Sequence, residues 1–348
     1  MLTTTIGAYP KPDTVPVLDW FSAEAAADPT APTRTYATTM AGGGSELEVI
    51  LDRATHEVVR EQDELGIDIP ADGEIRRENY IHYHCRRLAG FDFQRLSEKT
   101  MRGHAQVRLP TIVGPIAAQD AFLVRDWQVA QAATRKPVKI TLPGPLTIGD
   151  SVADDFYGDD PRRRGEALAD ALNVEIRRLA DAGCRYIQVD EPVFARQPDN
   201  ALAFGVAHLE RCFQGVGPEV TRALHACCGY PERLDQDDYP KAPQESYGRL
   251  AEALDRSSVG MISIEDAHRR NDPALLEKFS RSTVVLGVIA IAKSRVETLE
   301  EVRDHLASAL AHIDRDRLVA APDCGLGFLG RDLTRQKLAV LTAAAASI

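Results

Sequence analysis

The sequence predicts an α/β protein, a (β/α)8 TIM barrel with a β-hairpin inserted after the second strand. Short runs rich in β-branched and aliphatic residues alternate with longer amphipathic segments along almost all of the 348 residues. This alternation is typical of parallel strands joined by helical crossovers, and eight such units fit a barrel better than an open sheet. No Gly-x-Gly-x-x-Gly motif follows the first predicted strand, which disfavours a dinucleotide-binding sheet. The predicted strands are residues 3–7, 67–72, 138–142, 185–190, 222–227, 259–265, 283–290 and 317–321.

The intervals between the predicted strands carry the periodicity of amphipathic helices. The clearest is residues 162–182, where apolar side chains recur every three or four positions and fall on one face. Residues 299–313 show a similar pattern, and a last predicted helix, 332–346, follows the eighth strand. The glycine-rich stretch 41–44 predicts a flexible turn, and residues 230–247, rich in Pro, Asp and Gln, predict a long loop.

One interval does not fit the strand–helix repeat. Residues 91–135 contain the alternating stretch 102–116, which predicts a β-hairpin between the second and third strands. The chain shows neither a low-complexity linker nor an internal repeat shorter than one strand–helix unit. We therefore expect residues 1–348 to form a single barrel domain that carries this insertion.

Charge and composition exclude several classes of protein. The net charge of −11 disfavours a general affinity for nucleic acid or anionic membranes, so neither is expected as a partner. No apolar run approaches the ~20 residues that cross a bilayer, and the first residues lack the pattern of a secretory signal. Six cysteines are too few for a disulfide scaffold of this length. We expect a reduced, cytoplasmic setting, in which Cys and His serve metal binding or catalysis.

Soft and anionic side chains stand at the ends of three predicted strands. The fifth strand ends with His225 and Cys227, the sixth ends with Glu265, and Cys324 follows the eighth. Alternate residues of a strand share one face, so His225 and Cys227 point the same way, and barrel active sites lie at the carboxyl ends of the strands. Imidazole and thiolate ligands together favour zinc. The sequence therefore predicts a Zn2+ centre held by His225, Cys227, Glu265 and Cys324.

The competing interpretation of the four residues is a structural zinc site, and the remaining cysteines need an interpretation of their own. Structural zinc sites use clustered Cys-x-x-Cys pairs, whereas these ligands are spread over three strand ends. Cys228 points to the opposite face from His225, so we interpret it as packing. We interpret Cys85, Cys184 and Cys212 as buried core residues, which is the usual place of a free cysteine.

The composition of the predicted centre indicates its chemistry. Two thiolates and a carboxylate around a divalent ion leave excess negative charge. The carboxylate of Glu265 is the weakest of these ligands, so we expect an incoming thiol to displace it and assign Glu265 a catalytic role. A thiol that binds a metal loses its proton. The pattern predicts alkylation of a thiol rather than hydrolysis.

Seven short motifs follow one another along nearly the whole chain. They are TTTIGAYP (3–10), GEIRREN (73–79), LPGPLTI (142–148), IQVDEP (187–192), HAC (225–227), ISIE (262–265) and PDCGL (322–326). Together they resemble the C-terminal catalytic barrel of cobalamin-independent methionine synthase. The resemblance implies a single-barrel relative of the two-barrel enzymes, with zinc on the four residues named above. It implies a methyltransferase that transfers a methyl group to the thiol of homocysteine and forms methionine.

The resemblance also implies which residues hold the substrate. Glu74 and Asp190 match the acidic residues that bind the ammonium group of homocysteine, and we assign Asp190 a catalytic role as well. The backbone of Ile6, Gly7 and Ala8 matches the segment beside the substrate carboxylate, although Ala8 replaces the family's Ser. The residues alone leave two alternatives open: Glu74 as a solvated loop carboxylate, and Asp190 as part of a helix cap.

Two positions depart from the family's pattern for the methyl donor. Ser151 stands where the family has the Trp that stacks on the folate pterin, and Ala292 stands where it has the His proposed to protonate the departing folate. His268 and Lys293 are candidate replacements for that proton donor. The donor, methyl-folate or another compound, is therefore left open.

Two other functions compete with this one. A zinc-dependent alkyltransferase for another thiol, such as an epoxyalkane:coenzyme M transferase, needs a cationic pocket for a sulfonate, for which Arg76, Arg77 and Lys139 are candidates. A non-catalytic barrel would bind zinc and a thiol or a protein partner. Glu74 and Asp190 favour the amino-acid thiol. The expected partners are homocysteine and a methyl or alkyl donor, both small molecules.

Overall fold

A computed structural model describes residues 1–101, 105–158, 160–231, 233–236 and 238–348. Within these ranges the chain has a mixed α/β fold with a curled parallel sheet. The strands are β1 (Leu2–Thr3), β2 (Leu88–Met101), β3 (Ala105–Ala118), β4 (Lys139–Pro143), β5 (Ala153–Asp154), β6 (Tyr186–Asp190), β7 (Thr221–Ala226), β8 (Met261–Ile264), β9 (Thr283–Ile289) and β10 (Leu318–Pro322). The helices are α1 (Ala23–Ala27), α2 (Ala31–Glu64), α3 (Tyr80–Cys85), α4 (Leu123–Gln131), α5 (Pro145–Asp150), α6 (Pro161–Ala182), α7 (Pro192–Arg196), α8 (Pro198–Asn200), α9 (Val206–Cys212), α10 (Ser246–Asp255), α11 (Leu299–Ala309) and α12 (Arg331–Ser347).

The main sheet places the carboxyl ends of its strands at one edge. Its order is β1-β10-β9-β8-β7-β6-β4, and neighbouring strands are parallel. The register sets His225 of β7 beside Asp190 of β6 and Ser263 of β8. Seven of the eight predicted strands are present, although β1 ends at Thr3 rather than at residue 7. The edge at which these strands end carries the candidate site.

Residues 67–72, predicted as the second strand, are not a strand in the structure. They make two isolated parallel bridges, from Thr4 to Ile69 and from Ala71 to Lys139. The segment therefore lies between β1 and β4, the two edges of the main sheet. Its pairing with each of them is too short to form a regular ladder, which is why the strand prediction was wrong here.

Apolar side chains form two separate cores. The larger one includes the buried faces of α2, α6 and α12. The smaller one takes alternate residues of β7 to β10, whose intervening residues belong to the larger core. Because successive side chains of a strand point to opposite faces, the smaller core lies on the inner face of a curled sheet. Its members are Ile6, Ile69, Ala223, Met261, Val285, Val319 and Ala321.

The strongest predicted helix forms as expected. The side chain of Asp160 accepts a hydrogen bond from Arg163 N (3.0 Å), Pro161 takes the first position, and Gly183 ends the helix with φ 107°. These are the usual start and stop signals of a helix. The helices predicted from 299–313 and 332–346 correspond to α11 and α12. In the described ranges no helix combines the length and apolar character that a membrane span requires.

The turn predicted at residues 41–44 is confined to its last residue: residues 41–43 are helical, and α2 consists of two helical segments that meet at a kink at Gly44. Only Gly44 leaves the helical conformation, with φ 50° and ψ −142°, and it kinks the helix. The residues that follow, such as Leu47 and Leu51, are buried in the core and hold the second half of α2 in place. Packing of this apolar face outweighs the low helix propensity of Gly42 and Gly43, whereas Gly44 forms the kink.

An antiparallel pair occupies the region for which the sequence predicts a hairpin. β2 pairs with β3 from Leu88 and Ala118 onward, and β5 adds beside β3; residues 102–104 lie outside the described ranges. The ammonium of Lys99 donates to backbone oxygens at the end of α5, including Asp150 O (2.6 Å). Because α5 begins directly after β4, this contact holds the β2–β3 pair near the carboxyl end of β4.

The predicted long loop after β7 is present and ends at Ser246, where α10 begins. Its residues 232 and 237 lie outside the described ranges. The loop folds back on itself, since Ala242 N donates to Cys228 O (2.7 Å). Gly229 allows the close approach with φ 148°, and a Cβ there would lie 2.6 Å from a backbone oxygen of Pro240.

The start of α11 offers a test of the local signals that set helix ends. Thr298 and Glu301 form a capping box. We expect Thr298→Ala to lower the free energy of unfolding by about 1 kcal/mol, because backbone donors of the first turn lose their acceptor. Urea unfolding measures the change. Thr35→Ala is the matched control: Thr35 is also exposed, but its hydroxyl donates to Ala31 O within α2 and caps nothing. Equal losses in both variants would contradict the prediction.

Candidate metal centre

Three of the four predicted metal ligands lie together at the carboxyl edge of the sheet. His225 belongs to β7, Cys227 follows that strand, and Cys324 follows β10. One ligand atom of each lies within 4.8 Å of the other two, and His225 Nε2 is 3.3 Å from Cys324 Sγ. His225 and Cys227 are buried, with 3% and 4% of their surface exposed. This His-Cys-Cys group has the donors and the spacing to hold one metal ion.

Hydrogen bonds orient the His-Cys-Cys group before any ligand binds. His225 Nδ1 lies 2.9 Å from Ser263 Oγ, which turns Nε2 toward Cys324. A hydrogen bond from the Cys324 thiol, aided by the nearby His225, outweighs burial and holds the pKa of Cys227 well below its usual range. The group therefore favours a thiolate, the form in which cysteine binds metals.

Glu265, the fourth predicted ligand, belongs to a neighbouring group instead. It follows β8 and is 3% exposed. Its Oε2 accepts a hydrogen bond from Cys228 N (3.1 Å), and its Oε1 forms an ion pair with Lys241. Burial raises the pKa of Glu265 to about 7, reinforced by the charge of Asp323 and opposed by Lys241. The role of Glu265 as a metal ligand therefore stays a prediction.

The neighbouring group also contains His268 and Asp323, whose ligand atoms lie within 4.8 Å of Glu265. The Asp323 carboxylate accepts hydrogen bonds from the backbone of residues 266–268 and from His268 Nδ1 (2.7 Å). His268 Nε2 accepts from Ala292 N (3.1 Å). These contacts outweigh burial and lower the pKa of Asp323. Both ring nitrogens of His268 therefore make hydrogen bonds. The Asp323–His268 pair, which we call the clamp, joins the loop after β8 to the loop after β10. With both nitrogens bonded, His268 is not positioned to donate a proton to a substrate.

The two predicted ammonium-binding carboxylates influence each other, and Asp190 lies beside His225. Asp190 ends β6 and accepts from Gln188 Nε2 (2.7 Å). Glu74 accepts from Thr141 Oγ1 (2.8 Å) and is buried at 8% exposure, which excludes a solvated loop position. Burial raises the pKa of Asp190 to about 7; the charge of His225 opposes this shift and that of Glu74 adds to it. Glu74 is paired with Arg77, whereas the raised pKa of Asp190 beside His225 favours a cationic ligand.

The predicted backbone segment lies against the same carboxylates. Ile6 O accepts a hydrogen bond from Gln188 Nε2 (3.0 Å). A Cβ at Gly7 would lie 2.6 Å from Glu74 Oε1, so a glycine is needed for this approach. Ala8 O accepts from Leu326 N (2.7 Å), which joins the segment to the loop that carries Cys324.

Asp190 and its neighbour Glu191 have separate roles. Glu191 accepts hydrogen bonds from Leu146 N (2.9 Å) and from the backbone (2.8 Å) and hydroxyl (2.6 Å) of Thr147. It therefore satisfies the free N–H groups at the start of α5. The helix-cap interpretation applies to Glu191 rather than to Asp190.

The basic residues considered for an anionic substrate already have protein partners. Arg77 pairs with Asp72 (3.3 Å) and Glu74 (3.1 Å), and Arg76 pairs with Glu48 (2.7 Å) and with other acidic side chains. Burial lowers the pKa of Lys139 to about 7, against the opposing charge of Asp190. These residues do not form a free cationic pocket.

An aromatic cluster, which the sequence did not predict, borders the His-Cys-Cys group. Trp20 lies 5.3 Å from Tyr80 and 6.1 Å from Tyr230 between ring centroids, and Tyr230 lies 5.2 Å from Phe328. Tyr230 Oη donates to Gly325 O (2.7 Å), directly after Cys324. The cluster therefore joins the loops that follow β7 and β10. Ring pairs between distant segments leave no pattern in the sequence.

Comparison with known proteins defines the class of this chain. A family model for the catalytic domain of cobalamin-independent synthases matches residues 1–347. The methionine synthase of Sulfolobus acidocaldarius is 28% identical over 97% of this chain and 88% of its own length. The 5-methyltetrahydropteroyltriglutamate–homocysteine methyltransferase of a Synechococcus strain is 30% identical over 81% of this chain and 36% of that longer protein.

A solved structure agrees with these matches. The B12-independent methionine synthase of Shewanella sp. W3-18-1, in complex with selenomethionine, superposes with a TM-score of 0.86 at 30% identity and covers 99% of this chain and 96% of that one. A curled parallel sheet with imidazole and thiol ligands at its carboxyl edge is typical of metal-dependent enzymes of this class. The chain belongs to the cobalamin-independent methionine synthase family, and it is a methyltransferase.

The contact between Ser263 and His225 gives a test of the centre. We expect Ser263→Ala to weaken Co2+ or Zn2+ binding about tenfold, because ligand imidazoles lose affinity when the group that orients them is removed. Chelator competition measures the affinity. Ser246→Ala is the matched control, since Ser246 Oγ is buried without a hydrogen-bond partner in the described part of the chain. Unchanged affinity in the Ser263 variant would show that the contact does not position a ligand.

Proposed function

We propose that the chain transfers a methyl group to the thiol of homocysteine and forms methionine, with Zn2+ at the His-Cys-Cys group. One observation carries the proposal: the ligand atoms of His225, Cys227 and Cys324 converge within 4.8 Å beside the buried carboxylates of Glu74 and Asp190. The first group suits a thiol and the second suits an ammonium, and homocysteine has both. The selenomethionine in the Shewanella relative supports an amino-acid site in this family.

The donor set fits zinc better than other common metals. Two thiols and an imidazole are soft and borderline ligands, which zinc prefers and which magnesium and calcium do not. We propose Glu265 as the fourth ligand, which yields its place to the substrate sulfur. When bound at such a site, zinc lowers the pKa of a thiol and keeps it a nucleophile at neutral pH.

The chain's own residues would bind and orient the substrate. Asp190 and Glu74 would hold the ammonium by charge-assisted hydrogen bonds, and the backbone of residues 6–8 would lie beside the carboxylate. The substrate sulfur then attacks the methyl carbon in line: a sulfur–carbon bond forms while the bond to the donor breaks, and the thiol proton has already left. Burial of the site keeps water out, and positioning of the two reactants supplies much of the rate.

The proposal also includes the finer architecture. Residues 67–72 form no regular strand, but their two bridges lie at the position of a second strand, and we propose that they close the main sheet into a barrel. Residues 1–348 would then form one domain, with the β2–β3 pair as an insertion after that segment. The cytoplasmic location expected from the sequence stays a prediction.

The methyl donor is the open part of the proposal. Ser151 is buried at the end of α5, and Ala292 is fully buried after β9. Neither side chain can stack on a pterin or protonate a leaving group. The name of the Synechococcus relative supports a methyl-folate donor, whereas these two positions support another methyl donor.

The pairing of the basic residues argues against the coenzyme M alternative. Its sulfonate requires an unpaired cation beside the thiol site, but Arg76 and Arg77 already neutralise protein carboxylates. The family membership argues against a non-catalytic barrel.

Zinc content tests the metal centre. We expect the wild-type chain to bind one zinc ion, and Cys227→Ala and Cys324→Ala to lose it, because each removes a thiolate ligand. Metal analysis after gel filtration measures the stoichiometry. Cys228→Ala is the matched control, since Cys228 is an adjacent buried thiol outside the His-Cys-Cys group. Full zinc retention in Cys324→Ala would refute the proposed centre.

The proposed ammonium site is tested with a protein variant that lacks the carboxylate charge and with a thiol that lacks the ammonium. We expect Asp190→Asn to weaken homocysteine binding about tenfold, through loss of a buried charge-assisted hydrogen bond. The variant should bind 4-mercaptobutyrate, which is homocysteine without its amine, as the wild type does. Calorimetric titration of the zinc-loaded proteins measures both affinities. Equal weakening for the two thiols would mean that Asp190 acts on the sulfur or the fold and not on the ammonium.

A further inference from the structure

The carboxylate of Glu265 is held by two groups of the loop that follows β7. Its Oε2 accepts from Cys228 N (3.1 Å), and its Oε1 is paired with the ammonium of Lys241. The Glu265 side chain is 3% exposed and the Lys241 side chain 16%. The ion pair is therefore largely shielded from water, and the backbone N–H that Glu265 also accepts belongs to the residue directly after Cys227.

Several contacts deliver Lys241 to this position. The next residue, Ala242, donates its N–H to Cys228 O (2.7 Å) and accepts from Arg269 Nη1 (2.7 Å). The Lys241 ammonium also lies 4.8 Å from the centre of the Tyr239 ring, a favourable cation–π distance. Contacts of Tyr239 and Ala242, which lie on either side of Lys241 in the sequence, therefore fix the position of its ammonium.

A carboxylate this deeply buried needs a partner in every state of the site. Moving an unpaired charge away from water is costly, and removing one partner of a buried pair leaves that cost uncompensated. Two cations are candidates for this role: Lys241, which is paired with Glu265 here, and, in the proposed centre, the metal at the His-Cys-Cys group. A substrate thiol that replaces Glu265 at the metal removes the metal as a partner and leaves Lys241.

We propose that Lys241 is a positioning residue that receives the Glu265 carboxylate when a substrate thiol takes its ligand position. This inference rests on the proposed zinc centre. The substrate sulfur occupies the place that the carboxylate gives up, the thiol proton leaves to solvent, and the charge of the carboxylate is neutralised by the Lys241 ammonium. Lys241 thereby favours thiol binding without touching the substrate.

When Lys241 is replaced, the proposal predicts opposite changes in the affinity for zinc and in the affinity for the substrate thiol. Without Lys241, Glu265 loses the ion-pair partner that it has in the described part of the chain, and in the proposed centre the metal becomes the cation that neutralises it. The carboxylate should then bind zinc more tightly and resist displacement by a thiol. A structural role of Lys241 would instead weaken both zinc and thiol binding, so the signs separate the two explanations.

The experiment compares Lys241→Met with Lys241→Arg, each in the wild-type chain and in the Glu265→Gln background. Zinc affinity is measured by chelator competition, and homocysteine affinity by calorimetry on the zinc-loaded proteins. We expect Lys241→Met to raise zinc affinity and to lower homocysteine affinity, each about tenfold, as for loss of a buried charge partner. Lys241→Arg keeps the charge and should stay near wild type in both.

The Glu265→Gln background isolates the ion pair and keeps the test valid if Lys241→Met alone folds poorly. A glutamine needs no counter-ion, so Lys241→Met should change neither affinity there. The same change in both backgrounds would overturn the proposal, as would lower zinc affinity or unchanged homocysteine affinity in Lys241→Met. A wild-type chain that binds neither zinc nor homocysteine would overturn the proposed function and this inference together, whereas normal wild-type binding with an inert Lys241→Met overturns the inference alone.

Discussion

The geometry of the site depends on the buried carboxylate of Asp323. It accepts hydrogen bonds from three successive backbone N–H groups, residues 266–268, and from the His268 imidazole, at 2.7 to 2.9 Å. These bonds join the loop after β8 to the loop after β10 and fix the position of Cys324, the next residue in the chain. A Cβ at Gly287 would lie 2.1 Å from the carboxylate, so β9 also accommodates it closely. One side chain therefore sets the relative positions of three strand ends.

Around this clamp the site compensates its negative charges in different ways. Asp323 is satisfied by fixed backbone dipoles, and Glu74 by Arg77 and Thr141. Asp190 has the Gln188 amide, a neutral donor, and its pKa is raised accordingly by burial. A ligand that brings a positive charge relieves this cost, whereas an anionic ligand increases it. The electrostatics thus select an ammonium-bearing thiol before any contact to its carbon chain is considered.

The sequence predicts those parts of the site that follow from the geometry of strands. His225 and Cys227 share a face because side chains alternate along a strand, and Cys324 meets them because parallel strands end at one edge. Ser263 was within reach of the same reasoning, since it lies two positions before Glu265. The position of Lys241 could not be predicted in this way, because it depends on how the loop after β7 folds back. Tertiary contacts decide the conformation of such a loop.

The fold shows the same division between local and tertiary information. The helix signals of α6 are local and predict it correctly. At residues 41–44 the predicted turn is reduced to a kink at Gly44, because the later turns of α2 are buried in the core. Residues 67–72 have the composition of a strand but pair at only two isolated bridges. Sequence patterns report the conformation a segment prefers, and the neighbouring segments decide how much of it is realised.

The two halves of the proposed reaction are built from different parts of the molecule. The thiol side rests on strand ends and a buried hydrogen-bond clamp, and its residues lie in the motifs that carry the resemblance to the family. On the donor side, Ser151 and Ala292 stand where that resemblance leads us to expect an aromatic ring and an imidazole. Loops tolerate substitution better than the strands that carry them. Ser151 can change independently of the thiol side, since none of the hydrogen bonds described above for Asp323 or the His-Cys-Cys group involves it. Ala292 contacts the clamp through its backbone N–H, which bonds to His268, so its side chain can change without loss of that bond.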